Sequence, residues 1–150
     1  MAKTEVRFLG ADQGEKTIIT GFEAVFKTKM DLTGDLEDYF VVTVPPGAGA
    51  PLHVHHKNDE TLHVIEGTFT FQIEDKVMNA PAGAFVFIPR GVPHKFTNTG
   101  QSSGRMVGTF TPAGTFDFFD ALTKIAPNDF AEIEAVNKKY GHELLEEGNY

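Results

Sequence analysis

His53 and His55 are separated by a single residue, and that spacing constrains the fold of this chain more than any other feature. Residues i and i+2 of a strand point to one face, so two imidazoles at this spacing aim at a common point on a strand but not on a helix. They lie in GAGAPLHVHHKNDETLHVIEG, from Gly47 to Gly67. Glu60 opens the next apolar run, Thr61 to Ile65, and a tight turn through Lys57, Asn58 and Asp59 brings it back alongside the histidines. In a second stretch, GAFVFIPRGVPHKFTN from Gly83 to Asn98, His94 follows a Pro-Arg-Gly-Val-Pro turn and can close the set from a neighbouring strand. His53, His55, Glu60 and His94 are therefore the candidate metal ligands. Three imidazoles and a carboxylate suit one divalent transition metal: Fe, Mn, Ni, Co, Cu or Zn. Burying them unpaired would cost several kcal/mol, which a cation largely removes.

The rest of the chain reads mostly as short strands divided by Gly and Pro turns. Strands are expected at Val6 to Leu9, Thr17 to Thr20, Glu23 to Lys27, Tyr39 to Val44, Leu52 to His55, Glu60 to Ile65 and Thr68 to Ile73. Val77 to Ala80, Ala84 to Ile88, Lys95 to Thr97 and Arg105 to Thr111 complete the series, with a turn at Leu32 to Leu36. This rhythm indicates an all-β sandwich or barrel. The last third changes period. Phe116, Phe119 and Leu122 recur at helical spacing, and a second helix carries Phe130, Ile133 and Val136. Asn128 or Asp129 is placed to cap that helix and Gly141 to end it. The Phe116, Phe118 and Phe119 cluster is expected to pack a helix onto the sheet rather than to lid a site.

Composition narrows the function. One domain of 150 residues can bury a core, and a 41% hydrophobic content with 14 Phe is globular rather than disordered. A net charge of -8 argues against nucleic acid, whose phosphates demand a basic face. Without cysteine there is no disulfide and no thiolate ligand. The first residues hold no apolar signal core and no stretch approaches a membrane span, so a soluble cytoplasmic protein is expected, with no membrane partner.

The two stretches resemble the two motifs of the cupin family, at Gly47, His53, His55, Glu60 and Gly67 and again at Gly83, Pro89, Gly91, His94 and Asn98. The segment TFTPAGTFDFF, from Thr109 to Phe119, more loosely resembles the ending of quercetinase-like single-domain cupins. The resemblance implies a small double-stranded β-helix, or jelly roll, with short C-terminal helices. It implies one cupin domain over 1–150, with a barrel core at about 38–112 and a helical segment at about 115–146. The motif glycines read as turn geometry, and Arg90 as an exposed turn arginine.

The implied activity is a metal-dependent dioxygenase acting on a flavonol-like or other aromatic or enolisable small molecule. In that reading Glu60 is also catalytic, taking the substrate hydroxyl proton, which requires an apolar wall to raise its basicity. Other metal chemistry on the same ligands (C–C lyase or isomerase) and binding without turnover are the alternatives. Alternation puts Leu62 and Val64 on the face of Glu60 and Phe96 on that of His94, forming a candidate substrate pocket. Phe110 joins it if Met106, Gly108 and Phe110 look inward, a choice that parity leaves open. The apolar lining suits a small hydrophobic or aromatic substrate. His56 and His63 fall on the opposite parity, and His142 reads as a cap-region residue. Exposed strand edges and the resemblance together imply a homodimer, with the N-terminal strand a candidate for exchange.

Overall fold

Alternating apolar and polar residues along the strands build two antiparallel sheets whose inner faces close on one core. In a computed structural model describing residues 5–146, the chain runs β1 (Glu15–Ile19), β2 (Phe22–Thr28), α1 (Met30–Thr33), β3 (Asp38–Val44), β4 (Gly49–His55), β5 (Asp59–Glu66) and β6 (Thr68–Ile73). It continues with β7 (Lys76–Pro81), β8 (Phe85–Ile88), β9 (His94–Asn98), β10 (Gly104–Thr111), α2 (Thr115–Thr123), α3 (Phe130–Tyr140) and β11 (His142–Leu144). One sheet has the order β1-β2-β3-β10-β5-β8 and the other β11-β4-β9-β6-β7. The chain crosses from sheet to sheet between β3 and β4, β4 and β5, and β5 and β6, giving a small jelly roll.

Asp38, Phe40, Val42 and Val44 of β3 are buried in alternation, as are Gly104, Met106, Gly108 and Phe110 of β10. The parity question at β10 is therefore settled in favour of the Phe110 face. Gly108 leaves room there for the Phe40 ring, which stacks on Phe110 with centroids 4.9 Å apart. Phe69, Phe71 and Phe96 come from the opposite sheet. Burial of each such ring contributes roughly 1.5–3 kcal/mol. Asn98 latches the loop after β9, donating to the carbonyls of Val44 and Ser102 and accepting from the Gly100 amide.

Asp129 caps α3 by accepting from the Glu132 amide at 3.2 Å, and Gly141 ends it in the left-handed region at φ 74°. Phe116, Phe118 and Phe119 of α2 pack into the core. The helical reading to about 146 does not hold throughout, because the chain returns after Gly141 as β11 and covers the edge of β4. The expected strand at Val6 to Leu9 does not form either. Val6 and Phe8 are exposed, and just beyond them Lys27 Nζ donates to the carbonyls of Gly10 and Ala11, at 3.0 and 2.7 Å, holding the chain there as a loop. Part of the expected turn at Leu32 to Leu36 is the single helical turn α1. Among the described residues, no helix is long and apolar enough to cross a membrane.

Candidate metal centre

β4 carries His53 and His55 to the inner face, β5 begins by delivering Glu60, and β9 begins with His94. The β4–β9 register sets His53 opposite His94. Two contacts hold the turn that leads into His94. The Gly91 amide donates to the His55 carbonyl at 2.8 Å, where a φ of 84° suits glycine. Arg90 grips Asp59, its Nε and Nη2 lying 3.0 and 2.9 Å from the two carboxylate oxygens. This pair holds the Asp59 carboxyl down to about 2 and anchors the residue before Glu60. Arg90 is thus an exposed structural arginine, as read from the sequence.

The four candidate ligands are all buried, and one donor atom from each lies within 4.8 Å of the others. His53 Nε2 is 3.0 Å from His55 Nε2, and Glu60 Oε2 is 2.9 Å from His94 Nε2 and 3.4 Å from His55 Nε2. Donors roughly 2.1 Å from one ion and at right angles are about 3.0 Å apart, so these spacings suit adjacent positions around one cation. The far side of each ring is also engaged. His53 Nδ1 donates to the Pro51 carbonyl at 2.6 Å and His94 Nδ1 to the Val92 carbonyl at 2.9 Å, leaving Nε2 of each ring pointing inward. Such support on the outer nitrogen fixes the tautomer of a metal-binding histidine. The residues present therefore fit a divalent transition metal.

Burial holds His53 well below the ordinary imidazole range, with the neighbouring rings of His55 and His94 adding to the effect. Burial also lowers His55, against the opposing pull of Glu60. His94 is lowered by burial too, but the contact with Glu60, its negative charge and the Val92 carbonyl together outweigh this and raise it overall. For Glu60, burial favours the neutral acid, yet the His55 and His94 rings beside its oxygen together prevail and hold it well below the usual carboxylate range. The apolar wall expected to make Glu60 more basic does not win; Glu60 is ionised, as a ligand requires.

A narrow cavity of about 30 Å³ opens against His53, His55 and Glu60. Leu62, Phe96 and Phe110, three of the four candidate pocket residues, line it. Val64 does not: it is buried on the same face of β5 but pairs with Met106, two residues beyond the Leu62–Gly108 pair that adjoins the cavity. The β1–β2 hairpin supplies Ile19 and Phe22, β3 supplies Phe40, and α2 supplies Phe119. Ile19, Phe22 and Phe40 were not identified from the sequence, although the alternation of β3 could have pointed to Phe40; Phe119, expected only to pack its helix onto the sheet, also lines the cavity. No lining residue apart from the ligands is charged. His56 and His63 are exposed and away from the centre; His56 pairs with Glu143 at 2.7 Å.

His142 departs most from its sequence reading. It is a buried residue of β11, 4% exposed, directly opposite His55. Its Nε2 lies 3.4 Å from His55 Nδ1, and Phe118 stacks on its ring with centroids 3.7 Å apart. Burial, then the neighbouring His55, holds its pKa well below the ordinary imidazole value, so the ring is neutral. Only a lone histidine after a helix end marks it in the sequence.

Residues 40–110 match the family model of the Cupin domain. Among curated proteins, protein SchB of Streptomyces halstedii is 33% identical over 67 residues, covering 45% of this chain and 49% of that protein. The chain spans about half the length of the curated relatives it matches. Among solved structures, KdgF from Halomonas sp. is similar with a TM-score of 0.65 at 16% identity, covering 74% of this chain and 99% of that one. A predicted oxalate decarboxylase from Thermotoga maritima gives a TM-score of 0.58 at 21% identity, covering 61% and 80%. At such identities the structural likeness speaks for the fold alone.

Proposed function

We propose that this chain, whose residues 40–110 are a cupin domain, is a metal-dependent enzyme in which His53, His55, Glu60 and His94 hold one divalent transition metal. The observation that carries the proposal is the junction of that buried donor set with an otherwise apolar cavity. When bound, the metal supplies a Lewis acid for a substrate oxygen and, if it is redox-active, a route for electrons to O2. The reading favoured is a dioxygenase for a small enolisable or aromatic molecule. Leu62, Phe96 and Phe110 would hold its apolar body, while its oxygen donors face the ligands. Glu60 is the one carboxylate lining the cavity and is held ionised, so it is assigned the proton only of an enol that the metal has acidified enough to yield to so weak a base. The cavity is narrow, so a compact enol or diketone asks less movement of Ile19, Phe22 and Phe119 than a three-ring flavonol does.

A non-oxidative C–C lyase remains the second reading, because the same carbonyl polarisation serves it and a small site suits it. The homodimer belongs to this proposal too, with exposed Phe85 and Phe87 on the edge strand β8 offering an apolar contact. The test is turnover of a panel of diketones and flavonols by metal-loaded protein, with and without O2. Oxygen uptake matched to substrate loss supports the dioxygenase. Equal turnover without oxygen transfers the assignment to a lyase, and no turnover of any member with metal bound removes the enzyme reading.

A further inference from the structure

We propose that His142 is a positioning residue for the metal centre: its Nε2 accepts the Nδ1 proton of His55 and so presents the His55 Nε2 lone pair inward. This rests on the metal reading above. The three ring ligands are supported unequally. Backbone carbonyls of Pro51 and Val92 receive the outer N–H of His53 and His94. For His55, the neighbour within reach is His142, whose Nε2 stands 3.4 Å from Nδ1, at the long end of hydrogen bonding.

The placement is built rather than incidental. Antiparallel pairing of β11 with β4 puts His142 and His55 directly opposite one another, so their side chains share a face. The rings meet edge to face, 88° apart with centroids separated by 4.3 Å. Phe118 lies nearly parallel to the His142 ring at 24°, which fixes its plane. His142 Nδ1 has no partner among the described residues. With Nε2 as the acceptor, the ring's own proton sits on Nδ1. The C-terminal strand, outside both motif stretches, thereby completes the centre.

The test titrates metal-free full-length protein with Co2+, reading visible absorption and chelator competition, beside thermal melting of each metal-free variant. His142→Phe keeps an aromatic stack but no acceptor. It should melt near the wild type yet bind Co2+ about ten- to a hundredfold more weakly with an altered spectrum, the usual effect of losing an outer partner. His142→Gln, which restores an acceptor oxygen close to the former Nε2, should recover most of the affinity. Wild-type affinity and spectrum in the Phe variant would overturn the inference while leaving the metal reading intact. Equal losses of melting temperature and affinity in the Phe and Gln variants would reduce His142 to packing and overturn it as well. Absence of Co2+ binding in the wild type sinks both readings. If the Phe variant does not fold, His142→Met, similar in length to Gln but without a strong acceptor, takes its place in the comparison.

Discussion

Asp38 on β3 caps a helix that begins 77 residues later: its Oδ2 accepts the Thr115 amide at 2.7 Å and also those of Gly114 and Phe116. Helix α2 has no capping side chain of its own. A carboxylate at its first turn satisfies orphan N–H groups and complements the helix dipole. The helix so held carries Phe119 to the cavity and Phe118 to the ring of His142.

Replacing Asp38 by Ala should therefore cost about 2–3 kcal/mol, the worth of a strong cap with charged hydrogen bonds. Asp38→Asn should cost less. Burial raises the Asp38 pKa against the three amides, and the neutral amide keeps an acceptor without that buried charge. Urea unfolding checks both. A smaller loss for Ala than for Asn contradicts the capping role.

Removal of a ligand should show directly in metal content. His53→Ala and His94→Ala should each lower affinity at least as far as the ten- to hundredfold typical of lost outer partners. His63→Ala, on the exposed face of β5, should leave it unchanged. Elemental analysis of the purified variants, with chelator competition, decides. Loss of metal in His63→Ala would mean that the inward face of β5 is misassigned.

Glu60→Gln retains an oxygen donor but neither the charge nor a proton acceptor. It should keep metal more weakly than the wild type and lose turnover of an enolisable substrate. Full turnover with metal bound would show that Glu60 does not take the proton.

The metal-free protein should melt lower at about pH 5.5 than at about pH 7.5. His53, His55 and His142 are held below their ordinary values in the fold, so the unfolded chain binds more protons below about pH 6.5 and stability falls. Each such proton gives a slope of about 1.4 kcal/mol per pH unit. His94 works the other way, since its raised value adds stability at low pH, but it is one ring against three. Glu60, held low, adds a further loss at more acidic pH. Melting curves in chelator across this range test the sign, and a flat or inverted profile would contradict it.

Gly108→Ala should cost about 1–3 kcal/mol by overpacking, because the added methyl meets the Phe40 ring and comes 2.9 Å from the Thr61 carbonyl oxygen. Urea unfolding of this variant, compared with an Ala substitution at the exposed Ser102, measures it.

Much of the centre was legible in the sequence because its information is local. The His53–His55 spacing makes sense only on a strand, and the turns before Glu60 and His94 are written in Asn, Asp, Gly and Pro within a few residues of each ligand. The alternation in β5 and β9 likewise placed Leu62 and Phe96 on the ligand face. Alternation could not choose between the two faces of β10, because both carry apolar residues. That choice came from the Phe40 ring, which needs the space at Gly108. Alternation also cannot say how deep along a face the cavity reaches, which is why Val64 belongs to the core below it.

By itself, then, the sequence determined the all-β class, the four candidate ligands and their strand parity, all set by backbone geometry over short spans. Tertiary structure alone decided the roles of Asp38 and His142. Each acts on a group 77 or 87 residues away, through a register or a helix end that no local pattern encodes. The same holds for the N-terminal segment, where Lys27 binds the carbonyls of Gly10 and Ala11, 17 and 16 residues away. Local steric preferences act between neighbours in the chain, whereas burial and hydrogen bonding select among distant partners only once the sheets have closed.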